Sequence, residues 1–278
     1  MNESVSVDRY GVMGYPIAHS YSPVIHHLFA TQTGEQMQYE KLLVAPDDLD
    51  TAIRRFRREG GKGINITVPH KAEAARVADR VSDRAGIAGA VNTLTFRGNE
   101  IHGDNTDGVG LVRDLKKNLG IELEGANILL LGAGGATRGI VAPLLDEKPR
   151  AICISNRTLE RAQALALYFE RLGHVSACHF AAVPVNDPYD LIVNATSAGL
   201  SGELPPYPEA AISEQTLCYD LSYAMDTTPF AAWARNQGAG RSVMGWGMLV
   251  EQAAESFRIW RDVRPDTAAV LRQLPINA

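Results

Sequence analysis

Short runs of large aliphatic residues alternate along this chain with stretches in which apolar positions recur every three or four residues, a pattern that predicts an α/β protein. In the first third the pattern predicts strands at Tyr10–Gly14, Gln38–Val44, Gly63–Thr67, Ala90–Phe96 and Glu100–Gly103. Helices are expected between them at Pro23–Thr33, Pro46–Arg58 and Lys71–Ala78. The first two open on proline, whose missing N–H is harmless in a first helical turn. A helix from Asp107 to about Leu119 then leads into Ala126–Leu131, where four consecutive aliphatics suit a strand buried on both faces. A second module follows, with helices at Ala136–Leu145 and Leu159–Leu172 and strands at Ala151–Ser155, Val175–His179, Leu191–Asn194 and Leu217–Leu221. That is the rhythm of a doubly wound, Rossmann-like sheet. The final helices, Gly247–Trp260 and Thr267–Leu274, have no strand after them and are expected to pack back on the first module.

Composition narrows the class of ligand. The chain has 278 residues, 45% hydrophobic and 21% charged, so it is too apolar for general disorder. Its net charge of -5 supplies no positive field to gather nucleic acid or an anionic membrane, which makes a small molecule the expected partner. Cys153, Cys178 and Cys218 are far apart and lack CxxC spacing, so a reducing cytoplasm is expected rather than a disulfide framework or a zinc site. His19, His70 and His102 have no paired ligand spacing, and no metal is expected. The N-terminus lacks a signal-type apolar region, and no stretch reaches the roughly 18 uninterrupted apolar residues of a membrane span.

The first chemical signal is a glycine turn between a strand and a helix: Gly132, Ala133, Gly134, Gly135, Ala136 and Thr137. Gly132 would permit the tight turn and Gly134 the close approach of backbone N–H groups to a pyrophosphate at the helix N-terminus. Thr137 departs from the usual fingerprint, which has Gly or Ala at that sixth position. An NAD site would place a carboxylate at the end of the next strand; here that strand ends in Asn156, Arg157 and Thr158, with Arg161 one helical step on. Guanidinium, amide and hydroxyl donors suit a 2′-phosphate, so NADP is the expected cofactor.

Polar clusters at strand ends supply the second signal: His19-Ser20-Tyr21-Ser22-Pro23, Asn65-Ile66-Thr67-Val68-Pro69-His70-Lys71, Ala90-Val91-Asn92-Thr93 and Gly103-Asp104-Asn105-Thr106-Asp107-Gly108. With GAGGATRG, NRT, NATSAG and GWGMLVEQA in the same order, the chain resembles the shikimate dehydrogenase family over nearly its whole length. The resemblance implies reversible NADPH-dependent reduction of 3-dehydroshikimate to shikimate in aromatic amino-acid biosynthesis. It implies Ser20 and Ser22 on the substrate carboxylate, Asn65, Thr67, Asn92 and Gln252 on ring hydroxyls, and Tyr223 near the substrate. Lys71 and Asp107 resemble the catalytic pair. Lys71 can deliver a proton or positive charge to the ketone oxygen, while Asp107 can orient it, hold it charged or bond the reacting hydroxyl. Gly245, Met248 and Leu249 resemble the nicotinamide lining, and Asn194, Thr196 and Ser197 the loop beneath the cofactor.

Residues 1–107 and 245–278 are thus expected to form a mainly parallel α/β substrate domain, and 108–244 a Rossmann-like NADP domain, in a monomer or homodimer. Blander roles are available to several of these residues: Ser20 or Ser22 capping a helix, Asp107 as an N-cap, and Asn65 and Asn92 as structural amides. An NAD-dependent quinate/shikimate dehydrogenase and a non-catalytic sensor on the same fold are the alternative functions.

Overall fold

The computed structural model describes residues 7–196 and 206–274, which fall into two compact units. Residues up to Gly110 together with Leu249–Leu274 form the first, and Leu111–Met248 the second.

The first unit begins β1 (Asp8–Gly14), α1 (Ser22–Thr33), β2 (Met37–Leu43), α2 (Leu49–Arg58), β3 (Gly61–Ile66) and α3 (Lys71–Val77). It continues with β4 (Arg80–Val81), α4 (Asp83–Ala88), β5 (Thr93–Arg97), β6 (Glu100–Asp104) and the start of α5 (Asp107–Arg113). Helix α1 carries Pro23 in its first turn and stops at Gly34, whose φ of 73° only glycine adopts freely. Helix α2 starts at Leu49 rather than at Pro46, because Asp47 sits at φ 74° and interrupts any helix running through it. Met13, Ile53, Phe56, Ile64, Ile66, Val91 and Leu94 pack together as the core between sheet and helices.

Strand order in this sheet is β2-β1-β3-β5-β6-β4. β1 runs parallel to β2 and β3, whereas β5 is antiparallel to both β3 and β6. In that register Asn65 at the end of β3 lies opposite Thr93 at the start of β5, and Thr93 opposite Asp104 at the end of β6. The reversed strand therefore brings four segments to one edge: those after β1, β3 and β6, and the one before β5.

The second unit holds β7 (Asn127–Leu131), α6 (Gly135–Asp146), β8 (Ala151–Asn156), α7 (Leu159–Phe169), β9 (Val175–His179), β10 (Leu191–Asn194), β11 (Leu217–Asp220), α8 (Pro229–Asn236) and β12 (Arg241–Met244). All its strand pairs are parallel, in the order β12-β11-β10-β7-β8-β9. The order reverses between β7 and β10, the crevice where doubly wound sheets receive ligands. Two helices carry the chain across the unit boundaries: α5, continued by a π-helical turn over Asp114–Asn118, and α9 (Trp246–Arg261). α10 (Thr267–Leu271) closes the described chain, with Asp266 capping its first N–H groups.

Candidate active site

Each cluster of the first unit reaches the shared sheet edge from a different strand. Lys71 is the first residue of α3 and Asp107 the first of α5, and Lys71 Nζ lies 2.6 Å from Asp107 Oδ2. Their side chains are 33% and 14% exposed, so the pair is open to a ligand yet partly shielded. Asn92 Nδ2 donates to the other carboxylate oxygen, Asp107 Oδ1, at 2.9 Å. The orientation of that amide is fixed, because the Thr106 backbone N–H donates to Asn92 Oδ1 at 2.9 Å and an N–H cannot accept. A backbone group thus sets Asn92, Asn92 sets Asp107, and Asp107 holds the ammonium. Gln252 on α9 joins this network, with its Oε1 3.3 Å from Asn92 Nδ2 and 3.4 Å from Thr106 Oγ1. Gly110 permits the approach: a Cβ there would stand 2.7 Å from the Gln252 Cβ.

Asn65 is buried, and its Nδ2 faces Asn92 O at 3.0 Å, Thr93 Oγ1 at 3.1 Å and Ser256 Oγ at 3.0 Å. Its Oδ1 accepts from the Tyr39 hydroxyl at 2.7 Å. Ser20 Oγ donates to Ser22 Oγ at 3.2 Å. Ser22 is a helical residue of α1 and not its cap; the capping position belongs to Tyr21, whose side chain makes no cap bond. Thr67 follows β3, half-buried, its N–H bonded to Met13 O. His70 is buried with Nε2 2.8 Å from Val44 O, a structural anchor for the turn before Lys71. Among the described residues no group of histidine, cysteine and carboxylate side chains has the arrangement of a metal site.

In the second unit Gly132 leaves β7 at φ 105°, and its Cβ position lies 3.2 Å from the Ala195 carbonyl, so turn and packing both favour glycine. Gly134, Gly135 and Ala136 are exposed at the start of α6, with open space where a Cβ would stand on either glycine. Thr137 is buried and donates to Gly132 O at 2.8 Å, closing the turn on itself, which explains a threonine at the sixth position. Ala133 is half-buried between them. At the end of β8 Asn156 donates to Thr158 O at 2.8 Å, and Arg157, Thr158 and Arg161 are all exposed. These residues fit an NADP adenosine end: free N–H groups at a helix start, two accessible guanidinium groups and no carboxylate at the strand tip.

Asn194 at the end of β10 is buried and bonds Asp220 Oδ1 at 3.1 Å, while its Oδ1 accepts from the Thr196 hydroxyl at 2.7 Å. Burial pushes the Asp220 carboxyl above the usual range. Ser197 lies outside the described residues. Gly245 follows β12, where a Cβ would stand 2.5 Å from Leu221 O. Met248 N–H donates to the Tyr219 hydroxyl at 3.2 Å, and that hydroxyl donates to the buried Asp114 carboxylate at 2.6 Å. Leu249, half-buried, begins the part of α9 that belongs to the first unit. Tyr223 stacks obliquely on Trp246 in the second unit, with centroids 4.6 Å apart. Motif reading quoted Thr106 within a cluster without giving it a role, and missed Ser256 and Tyr39, of which Ser256 carried a signal, four residues after Gln252 on the same helix face.

Comparison with known proteins agrees with this geometry. Family models described as shikimate dehydrogenase substrate binding domain, shikimate / quinate 5-dehydrogenase and shikimate 5'-dehydrogenase C-terminal domain match residues 12–94, 114–201 and 245–274. The shikimate dehydrogenase (NADP(+)) of Dechloromonas aromatica is 53% identical over 96% of this chain and 97% of its own. Among solved structures, an Ael1 enzyme from Pseudomonas putida aligns with a TM-score of 0.91 at 45% identity, covering 97% of this chain and 99% of that one. The Thermus thermophilus shikimate 5-dehydrogenase in complex with NADP(H) and shikimate aligns at 0.82 and 35% identity, covering 96% of this chain and 100% of that one. With two α/β units, a Lys–Asp pair on one sheet edge and relatives of this identity across nearly its full length, the chain belongs to the shikimate dehydrogenase family.

Proposed function

We propose that this chain catalyses the reversible NADPH-dependent reduction of 3-dehydroshikimate to shikimate, with Lys71 and Asp107 as the catalytic pair. The 2.6 Å contact between the two side chains, at an edge shared by four polar clusters, is the observation that carries the reading. Reduction requires hydride at the ketone carbon and a proton at its oxygen; when bound, NADPH supplies the hydride. The Lys71 ammonium has three donor hydrogens and gives one to Asp107, so others can meet the oxygen as negative charge develops on it. Both Asp107 oxygens accept, one from Lys71 and one from Asn92, which suits the carboxylate to holding the ammonium in place.

Residues 1–107 and 245–278 then form the substrate and catalytic domain, and 108–244 the NADP domain. Ser20 and Ser22 receive the substrate carboxylate, Asn65, Thr67, Asn92 and Gln252 read the ring hydroxyls, and Tyr223 is a further substrate residue. Gly132–Ala136 face the pyrophosphate, Asn156, Arg157, Thr158 and Arg161 the 2′-phosphate, and Asn194, Thr196, Ser197, Gly245, Met248 and Leu249 the remainder of the cofactor. Three free buried thiols support a reducing cytoplasm, where the enzyme acts as a monomer or homodimer. The test is a matrix of shikimate and quinate, each with NADP and NAD, followed by cofactor absorbance. Turnover is expected with shikimate and NADP above the other three combinations; binding of shikimate without any turnover overturns the enzyme in favour of a sensor.

A further inference from the structure

We propose that Tyr39 is a positioning residue for substrate specificity: its hydroxyl fixes the Asn65 carbonyl and leaves Asn65 able only to accept a hydrogen bond from a ring hydroxyl. The inference rests on the reading of Asn65 as a substrate residue. Tyr39 lies on β2, the edge strand of the first sheet, outside every motif quoted above. Its hydroxyl donates to Asn65 Oδ1 at 2.7 Å. Enclosure raises the phenol pKa well above its ordinary value, and the group stays protonated and donating.

The direction of the bond from Tyr39 follows from the Asn65 amide. Asn92 O is a backbone carbonyl and can only accept, so the atom facing it at 3.0 Å is the NH2 group. That NH2 has two hydrogens, and Thr93 Oγ1 and Ser256 Oγ take the second. No donor remains for a ligand. The Oδ1 atom has two lone pairs, one taken by Tyr39, and neither ring nitrogen of neighbouring His26 has a hydrogen-bond partner. The second lone pair is therefore what Asn65 presents. His26 stacks flat beneath the phenol, with centroids 4.1 Å apart and planes within 7°, which holds the ring without competing for its hydroxyl.

Tyr39→Phe keeps the ring and its stack and deletes the hydrogen bond to Asn65. Shikimate Kd and KM are expected to rise about tenfold, equivalent to about 1.4 kcal/mol, with kcat within about twofold and KM for NADP unchanged. In an Asn65→Ala background the same substitution is expected to raise KM less than threefold, because the group that Tyr39 positions is already gone. An unchanged KM accompanied only by a lower Tm means a purely structural tyrosine and overturns the proposal. So does full additivity of the two substitutions. A readout needing no variant is the Asn65 side-chain NH2 in the wild-type protein by NMR: its hydrogens are expected to exchange slowly with and without shikimate, and fast exchange in the free protein overturns the donor assignment. Wild-type protein that binds no shikimate at all overturns the functional reading itself, a result distinct from an indifferent Tyr39→Phe.

Discussion

Replacing His26 with phenylalanine is expected to flatten the pH dependence of stability on the acid side of neutrality. His26 is fully buried among Tyr39, Phe29, Phe257 and Trp260, and neither of its ring nitrogens has a hydrogen-bond partner. Burial drives its pKa down from 6.5 to about 3, with a smaller opposing effect from Asn65. The unfolded chain therefore binds a proton at this site below pH 6.5 that the folded chain refuses until about pH 3, and stability falls with pH throughout that window. At about 1.4 kcal/mol per pH unit, lowering the pH from 7 to 5 removes about 2 kcal/mol through this residue. The phenylalanine ring has its own packing cost, but that cost is the same at both pH values and cancels in the difference. Trp260 lies 5.5 Å from His26 in the first unit and reports its unfolding. Urea titrations at pH 7 and pH 5, followed by Trp260 emission with Trp233 and Trp246 replaced by phenylalanine, give both differences. Equal pH dependence in wild type and variant would refute a neutral, unpartnered histidine in the core.

Three further outcomes are expected. Lys71→Ala should lower turnover by roughly 10²- to 10⁴-fold, the range for a positioned acid–base group, with little change in substrate KM; steady-state kinetics showing near-normal turnover would remove its role. Arg157→Ala should weaken NADPH binding and leave NADH binding nearly unchanged, since only the former has a 2′-phosphate for an exposed guanidinium; isothermal titration showing equal losses would count against that contact. Gly247→Ala should destabilise the second unit by about 1–3 kcal/mol, because its Cβ would overlap the Asp114 carboxylate. Adding Asp114→Ala should recover part of that loss in thermal unfolding, and independent effects would contradict the overlap.

Most of the fold was legible because its central strands are buried on both faces and carry unbroken aliphatic runs, as in Ile128–Leu131. What escaped was short or peripheral. β4 is a pair of exposed residues, Arg80 and Val81, with no periodicity to detect. β12 is an edge strand whose Arg241 is exposed and whose remaining residues are half-buried. The helices α4 and α8 also escaped: Ser82 accepts from the Ala85 N–H and Thr228 from the Ala231 N–H, but both helices are too brief for a clear apolar stripe. The π-helical turn after α5 has no local sequence cause; Leu119 N–H reaches back to Asp114 O, and the Asp114 side chain is tied to Tyr219 far along the chain. At the site, charged and amide residues stood out because their chemistry is conspicuous in sequence. The hydroxyls of Thr106, Ser256 and Tyr39 did not, because a hydroxyl becomes informative only once its acceptor is known.

The reversal of β5 has a practical corollary for engineering. Since that strand leaves the edge that holds Lys71 and Asp107 at Thr93 and returns along β6 to Asp104, the tight loop at Gly98 and Asn99 sits at the opposite rim. A Cβ at Gly98 would meet no atom within 4 Å, and a peptide tag or reporter spliced in there would hang in solvent, leaving the chemistry at the other end of the hairpin undisturbed.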